Sequence, residues 1–450
     1  MMNSATIRVA AAVLVLPLAA FGGKGDGHLR CASEPVPVCG VAAYGGKGDR
    51  HLRCASEPVP VSGAAEKAEK LPPLPARGPK PHPIKPPTAA ELDASIRRGV
   101  AYLLANQNSN GSWGSARRTK ALNIYAPVPG AHHAFRAAVT SLAVSALIEA
   151  GGDGKDVRRA IERGEKYLLA ELPNVRRAVP RAIYNIWAHA YGIRALVRLH
   201  GRAGAGEAKR KEILRQIAEQ IDFLKRYESL NFGWGYYDFR HKMQKPTSSA
   251  TSFMTGTVLI ALREAYDLGV KAPRQLIDRG ITAVKLQRNP DFSYHYSSNF
   301  RFYPGRLICR PPGSLGRSQT CNLALRLWGD ERVTDAVLKA WLNRLFARNG
   351  WLSRGRKFPV PHESWCAVAG YFYYYGHFYA GGCIEQLPPG ERGHFQDQLA
   401  RILMDLQEKD GSWWDYPMYD YHQTWGTAYT LMALWRCRRE AGRGGGAERN

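Results

Sequence analysis

Residues 107–114 read QNSNGSWG and residues 407–413 read QEKDGSW. Each closes an apolar helical pattern with a Gln, turns the chain with a polar run ending in Gly, and sets a Trp just past the turn. Glycine serves such a turn because it adopts the positive φ that other side chains resist. Related turns occur at Gly233-Trp234-Gly235, Asp291-Phe292 and Gly350-Trp351. The steps between successive aromatic residues are about 120, 58, 59 and 62 residues, so the first step spans two periods. The unmarked unit is visible in between, as Ile161 to Leu172 followed by Ile183 to Leu199. The chain therefore repeats six times at about 60 residues, each unit a helix, a turn and a second helix.

A second marker shares the period. The phrase I-x-R-G stands at Ile96 to Gly99, Ile161 to Gly164 and Ile277 to Gly280, inside helical patterns. Order begins at Thr88, which with Glu91 forms a T-x-x-E capping box ahead of Leu92, Ile96, Val100 and Leu103 on one helical face. The second helices (Ala138 to Ala150, Ala250 to Ala261, Trp365 to Ala380) are apolar nearly all round, as helices enclosed by others must be. A hairpin of this size cannot bury its apolar face alone. The reading is an all-α fold, an α/α toroid of about six helical hairpins with inner and outer rings, over residues 88–440.

The flanks differ in kind. Arg8 followed by the apolar run Val9 to Phe21 reads as a signal peptide over residues 1–21, cut after Ala20, with an uncleaved anchor as the alternative. Residues 22–38 recur almost unchanged as 45–61, and a Pro-rich run from Leu71 to Pro87 follows, so residues 22–87 read as a disordered linker carrying a tandem duplication. Residues 441–450 read as a disordered tail. The expected location is outside the cytoplasm, with membrane attachment only through an uncleaved signal segment.

Sixty-three Lys and Arg against 38 Asp and Glu give a formal charge of +25, which draws the chain toward anionic polymers or headgroups. The excess is not gathered into one stripe and no helix-turn-helix or finger pattern accompanies it, so no specific nucleic-acid partner is expected. None of the eight cysteines forms a C-x-x-C pair, which argues against a zinc ribbon or thioredoxin-like centre.

The two Q-x-x-x-G-x-W turns resemble the repeat motif of squalene and hopene cyclases, and with the six-fold period they place the chain near the terpenoid cyclase and protein prenyltransferase α/α toroid superfamily. The resemblance implies a central cavity. It does not carry a particular activity across. The acidic D-x-D-D cluster by which cyclases protonate their substrate is absent. Asp420 to Thr424 resembles the surroundings of the zinc-binding His of prenyltransferases, but Pro361 to Cys366 lacks that family's Asp-x-Cys pair. Gly382-Cys383-Ile384-Glu385-Gln386 keeps the C-x-E-Q spacing of thioester domains, yet it ends a helix rather than preceding one.

Connections from first to second helix are long and those between units are short, so the long loops share one end of the ring, with the N-termini of the inner helices. Polar residues at these starts are the candidate ligand contacts: His132, His133, Arg136, Arg181, Tyr184, Asn185, Thr247, Ser248 and Gln319, with Tyr421 and Trp425 from the aromatic last unit. His362, Glu363, Asp420 and His422 are the candidate catalytic set. His362 and His422 are also candidate ligands for Zn²⁺, since two imidazoles and a carboxylate leave a coordination position for water. Without metal the same groups supply an acid and a base.

The leading expectation is a cavity for a large amphipathic or cyclic ligand. A glycan-active toroid of polysaccharide-lyase type, using Tyr, His and Arg near the mouth, is a second reading. A non-catalytic scaffold for protein partners is a third.

Overall fold

Thr88 caps the first helix as its sequence dictates: its Oγ1 accepts from Glu91 N at 3.2 Å while Glu91 Oε2 accepts from Thr88 N at 2.7 Å. The computed structural model describes residues 73, 77–120, 128–202, 204, 206–239, 245–247, 250–362 and 367–438. The signal segment, most of the linker and the tail read from sequence lie outside the described residues.

In chain order the helices are α1 (Ala89–Ala105), α2 (Pro129–Ala150), α3 (Lys155–Glu171), α4 (Asn185–His200), α5 (Glu207–Arg226) and α6 (Ser252–Asp267). There follow α7 (Arg274–Lys285), α8 (Pro311–Leu327), α9 (Asp335–Ala347), the short α10 (Asn349–Ser353), α11 (Tyr373–Glu385), α12 (Pro389–Met404) and α13 (His422–Arg436). Helix α2 packs on α4, α4 on α6, α6 on α8, α8 on α11, α11 on α13, and α13 returns to α2. The inner ring is closed. The outer helices bury one stripe each: on α3 it is Val157, Ala160, Ile161, Gly164 and Leu168, whereas α2 is buried on nearly every face.

Helix pairing is shifted by one element from the repeat as read in sequence. Each outer helix lies chiefly against the inner helix before it, α3 on α2 and α5 on α4, and α1 lies on α13. Short connections such as residues 151–154 force antiparallel neighbours. The long loops instead arch across one end of the ring.

The two sequence markers prove to be halves of one joint. Trp113 Nε1 donates to Leu103 O and Trp234 Nε1 to Leu224 O, each at 2.8 Å, and Trp413 Nε1 donates to Leu403 O at 2.7 Å. All three rings are fully buried. Each lies over the glycine of an I-x-R-G phrase: a Cβ on Gly164 or Gly280 would stand 3.1 Å from the ring of Trp113 or Trp234, and one on Gly99 would stand 2.7 Å from Trp413. Gln107 adds a bond to Ala160 O at 2.9 Å and Gln407 one to Ser95 O at 3.0 Å. Trp351 departs from this pattern, being only partly buried in α10 beneath the Arg348 guanidinium.

The end of the ring opposite the long loops is filled by an ionic belt. Arg194, Glu264, Arg198, Glu149, Arg436 and Glu385 alternate in sign, with links of 2.9, 2.9, 2.5, 3.1 and 3.0 Å. Five inner helices supply them, in ring order apart from α8. Burial alone would raise the Glu264 carboxyl, but Arg194 and Arg198 outweigh it and hold it at about 2. Part of the Pro-rich stretch assigned to the linker touches the ring: Arg77 O accepts from Arg344 Nε at 2.9 Å and His82 O from Gln398 Nε2 at 2.8 Å. Cys309, Cys321 and Cys383 are buried free thiols, and Cys383 donates to Gln319 O, so the C-x-E-Q phrase is a helix end.

Candidate functional site

The first turns of the inner helices face one another across the bore, and the long loops fold in over them. Between them lies a cavity of about 860 Å³. Its lower wall comes from Phe135 on α2, Trp187 and Tyr191 on α4, Phe253 on α6, Tyr375 on α11 and Tyr429 on α13. The upper wall comes from loops, through Tyr236, Tyr237, Tyr296, Phe300, Tyr371 and Tyr416. Aromatic rings hold this surface rigidly, because each packs edge or face on the next; Phe253 meets Tyr296 at 5.2 Å and Phe372 at 4.9 Å.

The floor is sealed by hydroxyls paired with one another. Tyr429 OH donates to Tyr191 OH at 2.5 Å, and Tyr375 OH donates to Phe253 O at 3.0 Å. Burial raises the Tyr191, Tyr375 and Tyr429 phenols well above their ordinary value, so they stay neutral.

A chain of hydrogen-bonded polar groups also faces the space from the loops. His362 Nδ1 bonds to Ala367 O at 3.1 Å; a carbonyl only accepts, so Nδ1 carries the proton and Nε2 is an acceptor. Tyr371 OH lies 2.8 Å from that Nε2, and the chain runs on through Tyr296 OH at 3.4 Å to Tyr236 OH. The imidazole thus orients three phenols in one direction. Burial outweighs the bond to Ala367 O and, with a smaller push from the nearby Arg317 cation, lowers the His362 pKa from its ordinary value and keeps the ring neutral. Arg317 is itself fully buried, donating to Tyr294 O at 2.8 Å and Gly313 O at 2.6 Å. Its Cζ lies 5.8 Å from the Tyr296 ring.

Of the residues singled out from sequence, His362, Tyr184, Tyr421 and Trp425 line the cavity. Tyr184 OH donates to Tyr237 OH at 2.9 Å, and His132 Nδ1 reaches the wall through Tyr421 OH at 3.2 Å. Arg136 stands beside Tyr167 and Tyr421. The others have different partners. His133 pairs with Glu171 at 2.9 Å, Asn185 lies against His189, and Thr247 donates to Asp238. Arg181 is exposed. Gln319 lies inside α8, not at its start, and donates to Trp341 O at 3.0 Å on α9. Ser248 and Glu363 fall outside the described residues.

The catalytic set is not gathered in one place by its described members. His362 does not start α11, which begins at Tyr373; its φ of +66° takes it out of a helix and into the loop. Asp420 pairs with Arg117 and accepts from Ser115, both at 2.9 Å, while His422 bonds Tyr419 O at 2.6 Å and packs on Trp414. Among the described residues no three His, Cys, Asp or Glu side chains converge as a metal site requires.

Two groups near the wall escape a reading based on helix starts. Asp415 is fully buried behind Trp425, whose Nε1 donates to it at 3.2 Å, while Tyr374 N donates at 3.0 Å. Burial raises its carboxyl to about 7 against those donors. Lys120 sits 4.2 Å over the ring of Tyr416, and burial lowers its ammonium to about 8. The loop tyrosines carried little signal in sequence: Phe292, Tyr294 and Tyr296 share an alternating spacing past a marker turn, yet only Tyr296 lines the cavity, while Tyr294 OH donates to Asn322 inside the core.

No family model matches the chain, and no curated protein matches it. Solved structures do. An inactive variant of an α-1,6-mannanase from Salegentibacter sp. HEL1_6 in complex with α-1,6-mannotriose is similar at 11% identity and a TM-score of 0.50, over 77% of this chain and 99% of that one. An unsaturated glucuronyl hydrolase mutant from Streptococcus agalactiae aligns at 12% identity and a TM-score of 0.48, over 78% and 93%. A type II terpene cyclase from Scytonema aligns at 11% identity and a TM-score of 0.44, over 78% and 98%. At such identity the likeness is one of fold, the α/α toroid.

Proposed function

We propose that the cavity binds a large apolar ligand of isoprenoid or fused-ring type, whose polar end meets the hydroxyl chain anchored on His362. The wall supports this reading: among the described residues it is chiefly aromatic and aliphatic, Arg306 is its one cationic side chain, the His362 imidazole staying neutral, and no carboxylate lines it. Its volume of about 860 Å³ sits in the upper part of the roughly 300–1,000 Å³ usual for small-ligand sites. A ligand hiding about 400 Å² of apolar surface gains roughly 10 kcal/mol before the costs of immobilisation. Glycoside hydrolysis usually calls for two carboxylates flanking the scissile bond, and the described wall offers none. The Val9 to Phe21 run supports export as part of the same reading. Among the described residues no helix is long and apolar enough to cross a membrane.

The phenol chain also suits proton transfer. A ligand hydroxyl that donates to Tyr236 continues a series of bonds ending on the acceptor Nε2 of His362.

The test fills the cavity. Farnesol and squalene, delivered from cyclodextrin, should quench the tryptophan emission of the purified chain with saturation, since Trp187 and Trp425 line the space. Ala138→Phe, which places a ring in the same space, should remove saturable quenching while thermal unfolding stays cooperative. Saturable binding of manno- or glucurono-oligosaccharides in place of the isoprenoids would overturn the reading.

A further inference from the structure

The hydroxyl chain on the cavity wall has a fixed direction. Burial holds the phenols of Tyr236, Tyr296 and Tyr371 above their ordinary value, so each keeps its one proton. The chain has three links: Tyr236 OH to Tyr296 OH, Tyr296 OH to Tyr371 OH at 3.4 Å, and Tyr371 OH to His362 Nε2 at 2.8 Å. One end is set by the backbone. His362 Nδ1 gives its proton to Ala367 O, so Nε2 only accepts, and the Tyr371 proton belongs to it. Tyr371 O then accepts from Tyr296, and Tyr296 O accepts from Tyr236. Three protons fill three links, and none is left to point into the cavity.

Tyr236 also stands beside Tyr371. Sending its proton there makes Tyr296 donate to Tyr236 in turn, and the count is unchanged. The open end is then the Tyr296 oxygen, which lines the same space. By either route the chain offers a ligand a lone pair and no proton. The neighbouring cation does not alter this. Arg317, with its Cζ 5.8 Å from the Tyr296 ring, donates to the carbonyls of Tyr294, Gly313 and Ile308. On the floor, the phenol protons of Tyr375 and Tyr429 are likewise taken, by Phe253 O and Tyr191 OH.

A hydroxyl and a carbonyl on the same skeleton meet this end differently. An alcohol or phenol donates to the open oxygen and lengthens the chain by one link. A ketone, aldehyde or ether brings only lone pairs. To receive a hydrogen bond it must draw a proton out of a link, which leaves two oxygens facing each other; otherwise it faces the open oxygen with no proton between them. Both arrangements leave buried acceptors unsatisfied in an apolar space, where that loss is largest.

We infer that the cavity selects apolar ligands bearing a hydroxyl, alcohols or phenols, against ketones, aldehydes and ethers of the same skeleton, and that His362 sets this preference by fixing the direction of the chain. The inference rests on the apolar-ligand reading and adds the chemistry of the ligand's polar end. His362 acts in it through Tyr371, as a positioning residue.

Farnesol, farnesal and farnesyl methyl ether, delivered from cyclodextrin and followed by tryptophan quenching at neutral pH, test it on one skeleton. The wild type should bind farnesol about tenfold or more tightly than the other two, the effect of one buried hydrogen-bonding group left unsatisfied. His362→Leu removes the obligate acceptor, and Tyr371→Phe removes two links with one proton. Each variant then holds one proton more than it has links, so each should bind the aldehyde and the ether within about twofold of farnesol. Tyr371→Phe keeps the ring's shape and reads the chain even where the change at His362 disturbs its loop. With histidine labelled at its ring nitrogens, the His362 resonances, identified by their shift in Tyr371→Phe, should show the proton on Nδ1; a proton on Nε2 would reverse the chain and overturn the inference. Equal binding of the three ligands to the wild type would overturn it while leaving the apolar-ligand reading in place. So would a preference for farnesol that survives in both variants. Absence of saturable binding by all three would remove the inference and the reading together.

Discussion

Trp413 rests on Gly99, although 314 residues (413 − 99) separate them. A Cβ on Gly99 would lie 2.7 Å from the indole and 2.9 Å from Leu431 Cδ2. Helix α1 closes the ring against α13 through this notch, and Gln407 seals it with bonds to Ser95 O and Gly411 O, each at 3.0 Å. The first repeat and the last are thus joined as any two neighbours are.

Trp413→Ala should destabilise the ring by about 3–5 kcal/mol, as removal of a fully packed aromatic does. Gly99→Ala should cost about 1–3 kcal/mol by overpacking the same notch. Urea unfolding of the two single variants and the double should be non-additive, because the alanine at 413 vacates the space that a methyl at 99 needs. Trp351→Ala, at a partly buried ring, should cost less than half as much as Trp413→Ala. Additive effects in the double variant would show that the two residues do not share the joint.

The ionic belt makes stability acid-sensitive. Glu264 titrates at about 2 in the folded chain against an ordinary 4.5, so its contribution is present above about pH 4.5 and is lost as pH falls toward 2. Glu264→Gln leaves two buried arginines short of a partner and should cost about 3–5 kcal/mol at pH 7. Its stability should then fall less steeply than the wild type between pH 4.5 and 2. Parallel wild-type and variant slopes in urea midpoints across that range would contradict this assignment.

Asp415 has the opposite sign. Its carboxyl titrates near 7 when folded and near 3.8 when not, so the stability it gives is full below about pH 4 and disappears as pH rises through 7. Emission from Trp425, which bonds this carboxyl, should change with a midpoint near pH 7, and Asp415→Asn should remove the step. A step that persists in Asp415→Asn would belong to another group.

The ring was legible in sequence because its parts are local and repeated. Thr88 and Glu91 are three residues apart, each Gln, Gly and Trp lie within one turn, and a period near 60 shows through even where one marker is missing. The site was legible only in fragments. His362 reads in sequence as the start of a helix but lines the cavity from a loop, where its positive φ turns the imidazole toward Tyr371. Asp415 follows Trp413 by two residues and carries no signal of its burial, because nothing local tells a buried carboxyl from an exposed one.

Sequence by itself determined that this chain forms six helical hairpins, since helix periodicity, capping and glycine turns act over a few residues and need no knowledge of the partner. An open superhelix of the same hairpins satisfies those local rules too, and closure rests on the packing of α13 against α1 and α2. Tertiary structure alone decided which side chains face the bore. Tyr236, Tyr296 and Tyr371 come from three different loops, and they share one hydrogen-bonded chain only because the closed ring brings those loops together. The charge of the belt and the burial of Asp415 were decided the same way, for a carboxyl's energy depends on the dielectric and the cations around it, and these arrive from helices distant in sequence.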